Sequence, residues 1–237
     1  MSFYRVNNIA ADEKLYDTGI KFAIAGKFKE AAAEFKKVLN IHPFCIPAKE
    51  CLEIIKNTNK RKIKKETVVH LFKAINNEKE EKFGEAVAEL REAIKITPDF
   101  VDAYCYLGII YGEIGLLDES ITEFRKSIEI DPDLAWAYNN LGIAYEEKGL
   151  LDEAIVEFKK AVEIDPDYSW AHYNLGKLYD EKNILDESIE EYKKAIEIDP
   201  SHAWAHNNLG LIYEKKEMLD EAIDEFEKVV KIFPSGN

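Results

Sequence analysis

Proline recurs in the second half of this chain every 34 residues, at Pro132, Pro166, Pro200 and Pro234. Trp136, Trp170 and Trp204 keep the same interval, and so do Gly108, Gly142, Gly176 and Gly210. A fixed period of this length restricts a chain to stacked supersecondary units, each unable to bury its apolar face without its neighbours.

One unit, Ala135–Tyr168, shows how the period works. Tyr138, Leu141 and Tyr145 fall at i, i+3 and i+7, an apolar stripe at helical spacing. Gly149 stands where a helix must end in a left-handed residue, a conformation glycine adopts without a Cβ clash. A second helix follows, with Leu151, Ala154, Ile155, Phe158, Ala161 and Val162 along one side. Pro166 closes it, because the ring cannot donate a helical hydrogen bond and pushes Asp165 out of the helical region. The small residues Gly142, Ala154 and Ala161 mark places where helices approach closely.

The set Tyr138, Leu141, Gly142, Tyr145, Ala154, Phe158, Ala161 and Pro166 resembles the tetratricopeptide repeat, a helix-turn-helix unit. The pattern recurs as Tyr104, Leu107, Gly108, Tyr111, Ser120, Phe124, Ser127 and Pro132. It returns as His172, Leu175, Gly176, Tyr179, Ser188, Tyr192, Ala195 and Pro200, and then as His206, Leu209, Gly210, Tyr213, Ala222, Phe226, Val229 and Pro234. The resemblance implies an all-α fold, a right-handed superhelical solenoid whose first helices line a concave groove.

The domain reading follows the period. A main array over 67–237 holds repeats at 67–100, 101–134, 135–168, 169–202 and 203–236. The first of these is degenerate, with Lys73, Ala74 and Asn77 where Leu, Gly and Tyr belong. An N-terminal unit over 1–56 carries one repeat-like stretch (Leu15, Gly19, Phe22, Gly26, Ala31, Phe35, Val38, Pro43) and an extra helix from Ile46 to Lys56. Between them, 57–66 breaks the period with the basic run NTNKRKIKK and reads as a joint. The last helix, about Leu219–Phe233, is expected to leave Ile223, Phe226 and Val230 on a stripe that needs covering.

Composition narrows the function. At 46% hydrophobic and 33% charged residues, the chain has an ordinary soluble balance, and no apolar run reaches the length of a membrane span. Through Glu66 there are 14 Lys+Arg against 8 Asp+Glu, a net +6, while the remainder carries −20. One short basic run beside so acidic a remainder argues against nucleic acid. Cys45, Cys51 and Cys105 form no metal-type pair, and with no signal-type start they point to a reducing, cytoplasmic compartment. His202 and His206 stand at i, i+4, but His206, like His172, takes the aromatic core position of Tyr138, so packing is expected rather than metal binding. No nucleotide, hydrolase or metalloprotease motif is present, so neither enzyme activity nor a cofactor is expected.

The candidate binding residues lie on the first helices. Asn140, Asn174 and Asn208 repeat at the 34-residue interval, each four residues after Trp136, Trp170 or Trp204 and therefore on the same helical face. Asn139, Asn207 and Lys177 share that surface. An Asn amide both donates and accepts, so a register of them suits a peptide backbone of any sequence. In peptide-gripping members of the family an asparagine at this position has that role; the alternative is that it is ordinary repeat sequence and that the tryptophans seal repeat junctions. Glu146, Glu147, Asp180, Glu181 and Glu214 lie further along and favour a ligand carrying Lys or Arg. The family's clamp for a C-terminal carboxylate is not matched, since Trp136, Asn139, Tyr173 and Asn207 occupy its basic positions. The resulting expectation is a non-enzymatic adaptor or scaffold that binds an extended or helical peptide of a partner protein in the groove. The alternative is a self-associating scaffold, a homo-oligomer built through the N-terminal unit or the uncovered last helix.

Overall fold

Six pairs of antiparallel helices, each turned at a left-handed residue, and one further helix make up the described part of the protein. The computed structural model describes residues 13–41, 45–60 and 63–232, and among these it contains thirteen α-helices and no strand. They are α1 (Glu13–Ile24), α2 (Phe28–Ile41), α3 (Ile46–Lys60), α4 (Lys65–Lys79), α5 (Phe83–Ile96), α6 (Val101–Glu113) and α7 (Leu117–Ile130). After these come α8 (Ala135–Glu147), α9 (Leu151–Ile164), α10 (Ser169–Glu181), α11 (Leu185–Ile198), α12 (Ala203–Lys215) and α13 (Leu219–Ile232). Two compact units are present, Met1–Pro132 and Asp133–Asn237. The division falls inside the array, between the repeats at 101–134 and 135–168. The helix expected over 46–56 continues to Lys60, into the segment read as a joint; residues 61 and 62 of that segment lie outside the described residues.

The turn inside each pair obeys the sequence. Gly115 and Gly149 take φ values of 78° and 79° after their helices, and Leu150 N–H reaches back to Tyr145 C=O at 2.9 Å, satisfying an end carbonyl. In the other pairs of the array, Glu81, Asn183 and Glu217 hold the same left-handed position, at φ 60°, 57° and 60°. Gly142 serves closeness instead: a Cβ there would lie 2.7 Å from the Phe158 ring, and Gly108 and Gly210 face Phe124 and Phe226 in the same way. Ser120 and Ser188 replace the small alanine at no cost in unsatisfied groups, since each hydroxyl donates to the facing glycine carbonyl at 2.7 Å.

In the first unit the N-terminal helices do not continue the stack. α1 packs on α2, α2 on α3, α3 on α4 and α4 back on α1, a closed ring of four helices. Lys79, at the end of α4, pairs with Glu13 and Asp17 at the start of α1. The stem of Lys65, at the start of α4, crowds Gly26 just beyond the end of α1, so the two helices run antiparallel. The ring closes on Tyr16, Ile20, Phe35, Cys51, Leu71 and Phe72, all buried, with Phe35 and Phe72 stacked at 6.3 Å. Cys45, Cys51 and Cys105 are free and buried, and Tyr16 Oη lies 3.7 Å from Cys51 Sγ.

In the second unit the repeats stack in register, α9 against α10 and α11 against α12. Its distal core gathers Tyr173, Tyr192, Ala195, Leu209, Ile212 and Tyr213, with Trp170, Met218 and Phe226 packed against it. On α13, Ile223 and Val230 are 56% and 61% exposed, while Phe226 turns inward and is half-buried. Phe233 lies outside the described residues.

Candidate peptide-binding face

In the second unit the first helices α8, α10 and α12 carry every residue singled out for binding. The face is graded along the stack. Trp136 and Trp170 are half-buried, whereas Trp204 is 52% exposed. Asn139, Asn140 and Asn174 are buried at 4%, 5% and 3%, while Asn207 and Asn208 are half-buried. On α12 the helical spacing i, i+3, i+4, i+7 aligns Trp204, Asn207, Asn208 and the exposed Leu211.

Burial is accompanied by internal hydrogen bonds. Asn140 Nδ2 donates to Trp136 C=O at 2.8 Å, and Asn174 Nδ2 donates to Asn139 Oδ1 at 2.9 Å, from one repeat to the next. Asn208 Nδ2 donates to Tyr192 Oη at 3.1 Å, and Asn207 Nδ2 to Asn208 Oδ1 at 3.3 Å. The bonds of Asn174 and Asn208 cross between repeats, whereas those of Asn140 and Asn207 stay within their own helices. Asn140, Asn174, Asn207 and Asn208 thus each spend one donor proton inside the fold, and Asn139 and Asn208 each spend a carbonyl lone pair.

The cations of this face are similarly engaged. Lys177 pairs with Glu146 at 2.5 Å, with both side chains nearly buried, and Lys215 pairs with Asp180 at 2.7 Å. Burial pushes the Glu146 carboxyl up against the lowering effect of Lys177, and desolvation followed by the charge of Glu146 pushes up Glu147. The unit from Asp133 onward holds 24 Asp+Glu against 11 Lys+Arg, a net −13.

The histidines were read as packed, and the structure gives each a task. His202 is the N-cap of α12, its Nδ1 accepting from Ala205 N–H at 3.3 Å. Burial pushes this imidazole down to about 4, so the ring is neutral and its proton sits on Nε2. The ring lies 4.5 Å from Trp170 and 4.9 Å from Tyr173 between centroids. His172 Nδ1 meets Glu191 Oε2 at 2.6 Å and His206 Nδ1 meets Glu225 Oε2 at 2.5 Å. In the first unit His70 and Glu89 repeat the contact at 2.5 Å. The signal for these pairs was present as His followed 19 residues later by Glu in three repeats, but their meeting depends on which helical faces touch. Among the described residues, no group of three or more His, Cys, Asp or Glu is placed to hold a metal ion.

Family profiles described as TPR repeat match residues 79–115, 113–149, 144–183 and 181–217, and one described as tetratricopeptide repeat matches 203–235. These matches span more than half of the chain. The protein belongs to the tetratricopeptide repeat family. The matches together run from residue 79 to residue 235, over α5 to α13. Among solved structures the chain is similar to a crystal structure of MamA, at 31% identity and TM-score 0.59, over 67% of this chain and 93% of that one. It shares a fold with MamA 41-end from Desulfovibrio magneticus RS-1, at 22% identity and TM-score 0.62, over 74% and 99% of the two chains. It likewise shares a fold with YrrB, described as a TPR protein with an unusual peptide-binding site, at 21% identity and TM-score 0.55, over 77% and 93%. A comparison with curated proteins returned no match.

Proposed function

We propose that this tetratricopeptide protein is a non-enzymatic adaptor that binds a cationic peptide segment of a partner protein on the first-helix face of its second unit. The observation that carries the reading is Trp204: an indole 52% exposed, aligned on one helix with Leu211 at 42% and with two half-buried amides. A large exposed aromatic flanked by polar groups is the composition of a binding hot spot. The net −13 of the unit and its ion-paired lysines favour a ligand rich in Lys or Arg. Family membership and the peptide-binding neighbour YrrB support the interaction class. Three buried free thiols suit a reducing, cytoplasmic setting, and no described helix is long and apolar enough to cross a membrane.

The test is selection of a displayed peptide library on the full chain, followed by titration of the selected sequences. Cationic sequences that lose more than about tenfold in affinity for Trp204→Ala would bear the reading out. Selection that yields no binder, or binders indifferent to Trp204, would overturn it.

A second reading, self-association, is favoured by the exposed Leu219, Ile223 and Val230 on α13. Sedimentation at micromolar concentration decides it: a particle that stays monomeric rules it out.

A further inference from the structure

The stack contains an internal example of what the Trp face accepts. One repeat before Trp204, the nitrogen-bearing ring of His202 lies against the indole of Trp170, tilted by 49° with the centroids 4.5 Å apart. The same helical position in α12 presents Trp204 with more than half of its surface open. The open indole face there leaves room for a planar group with nitrogens at its edge. Asn207 and Asn208, one turn along, direct amide groups to the same face. The Nδ2 of Asn207 is spent on Asn208 Oδ1, while the Asn207 carbonyl oxygen makes no hydrogen bond among the described residues. That leaves an acceptor one helical turn from the indole, on the face that a bound planar group would share.

Charge selects among planar groups. The unit carries −13, and both cations on this face are tied to carboxylates on the first helix of the preceding repeat, Lys177 to Glu146 and Lys215 to Asp180. A cation therefore gains where a neutral ring would not. Guanidinium meets both demands: it stacks flat on an indole, remains charged and donates in its plane. An ammonium carries the charge but has no plane to stack.

We propose that Trp204, with the Asn207 carbonyl, is a subsite for an arginine side chain of the bound peptide. This rests on the second unit's first-helix face being the peptide site, and it adds which side chain anchors there. The indole supplies the negative face of its quadrupole, the amide carbonyl takes one guanidinium N–H, and the acidic surface brings the peptide in.

The probes are three blocked nonapeptides with lysines near both ends, identical except for a central arginine, lysine or citrulline. Each is titrated into the full chain while tryptophan fluorescence and heat are recorded. The arginine peptide is expected to bind about fivefold more tightly than the lysine peptide, the size of one cation–π contact with a planar donor. Citrulline, flat but uncharged, is expected to bind more weakly than arginine by a similar factor. Both preferences should vanish in Trp204→Ala, fall partly in Trp204→Phe, and persist in Val156→Ala, a change at an exposed residue of α9. Circular dichroism confirms that each variant is folded. Equal binding of all three peptides, or an arginine preference that survives Trp204→Ala, would overturn the subsite while leaving the acidic face as a peptide site. Failure of every peptide to bind the parent would overturn the cationic-peptide reading itself, and the subsite with it.

Discussion

His172 Nδ1 lies 2.6 Å from Glu191 Oε2, while Nε2 of the same ring lies 3.0 Å from the carbonyl of Pro166. The imidazole thus ties the second helix of its own repeat to the proline that closes the repeat before. His206 does the same with Glu225 and Pro200, at 2.5 and 3.2 Å. Tyr104 holds the equivalent position in an earlier repeat, and its hydroxyl donates to Pro98 C=O at 2.9 Å. One position thus takes either ring, and His172, His206 and Tyr104 each bond there to a proline carbonyl.

Replacing His172 with Tyr should therefore be tolerated, whereas His172→Leu should cost about 2 kcal/mol, because both Glu191 and Pro166 C=O lose a partner in a buried place. Burial alone would raise the Glu191 carboxyl, but the hydrogen bonds from His172 and Lys194 hold it below the usual range. A carboxylate lowered in the folded state stabilises above its unfolded value, and that stability is lost as pH falls through the folded one. Thermal melts taken downward from neutral pH should show this loss, and Glu191→Gln should flatten it.

Glu50 has the opposite sign. Burial, then the charge of Asp102, pushes its carboxyl from 4.5 up to about 8. The folded chain keeps a proton that the unfolded chain releases, so stability falls as pH rises between those two values and levels off above. Glu50→Gln should raise the melting temperature at about pH 8.5 and leave it unchanged at about pH 4. A parallel shift at both pH values would assign the effect to packing.

Asn174 is 3% exposed and bonded to Asn139, whereas Asn208 is half-buried and bonded to Tyr192 Oη. Asn174→Ala should cost about 1–2 kcal/mol, since it strands a buried amide oxygen, and Asn208→Ala should cost less than about 1. Urea titrations of the two variants measure this order directly. Equal, negligible effects would return the ladder to a purely surface role.

Glu217 holds a left-handed turn position at φ 60°, where Gly149 stands two repeats earlier at φ 79°. A side chain there costs about 1–2 kcal/mol, part of which is offset by the freedom glycine has when unfolded. Glu217→Gly should therefore raise the urea midpoint by about 0.5–1 kcal/mol in stability with an unchanged slope, and Gly149→Ala should lower it.

Local rules carried most of the fold. Pro166 cannot continue a helix, Gly149 can turn left-handed, and Phe158 needs a glycine opposite; these constraints act within a few residues or within one hairpin, so a 34-residue period displays them openly. The same period placed Trp204 and Asn208 on one face of one helix. What lay beyond the sequence were relations between elements far apart in the chain. The stretch at 12–45 has the residues of a repeat, yet α4 returns antiparallel along α1 and closes a ring, through contacts such as Lys79 with Glu13 and Asp17 that join residues more than sixty positions apart. Spacing likewise assigns a face to Asn140 and Asn174 but cannot say how much of it the neighbouring repeat covers. Only the tertiary stack left Trp204 more open than Trp170 and Asn174 more buried than Asn208 at equivalent repeat positions, and that difference in exposure decides which of them a ligand can touch.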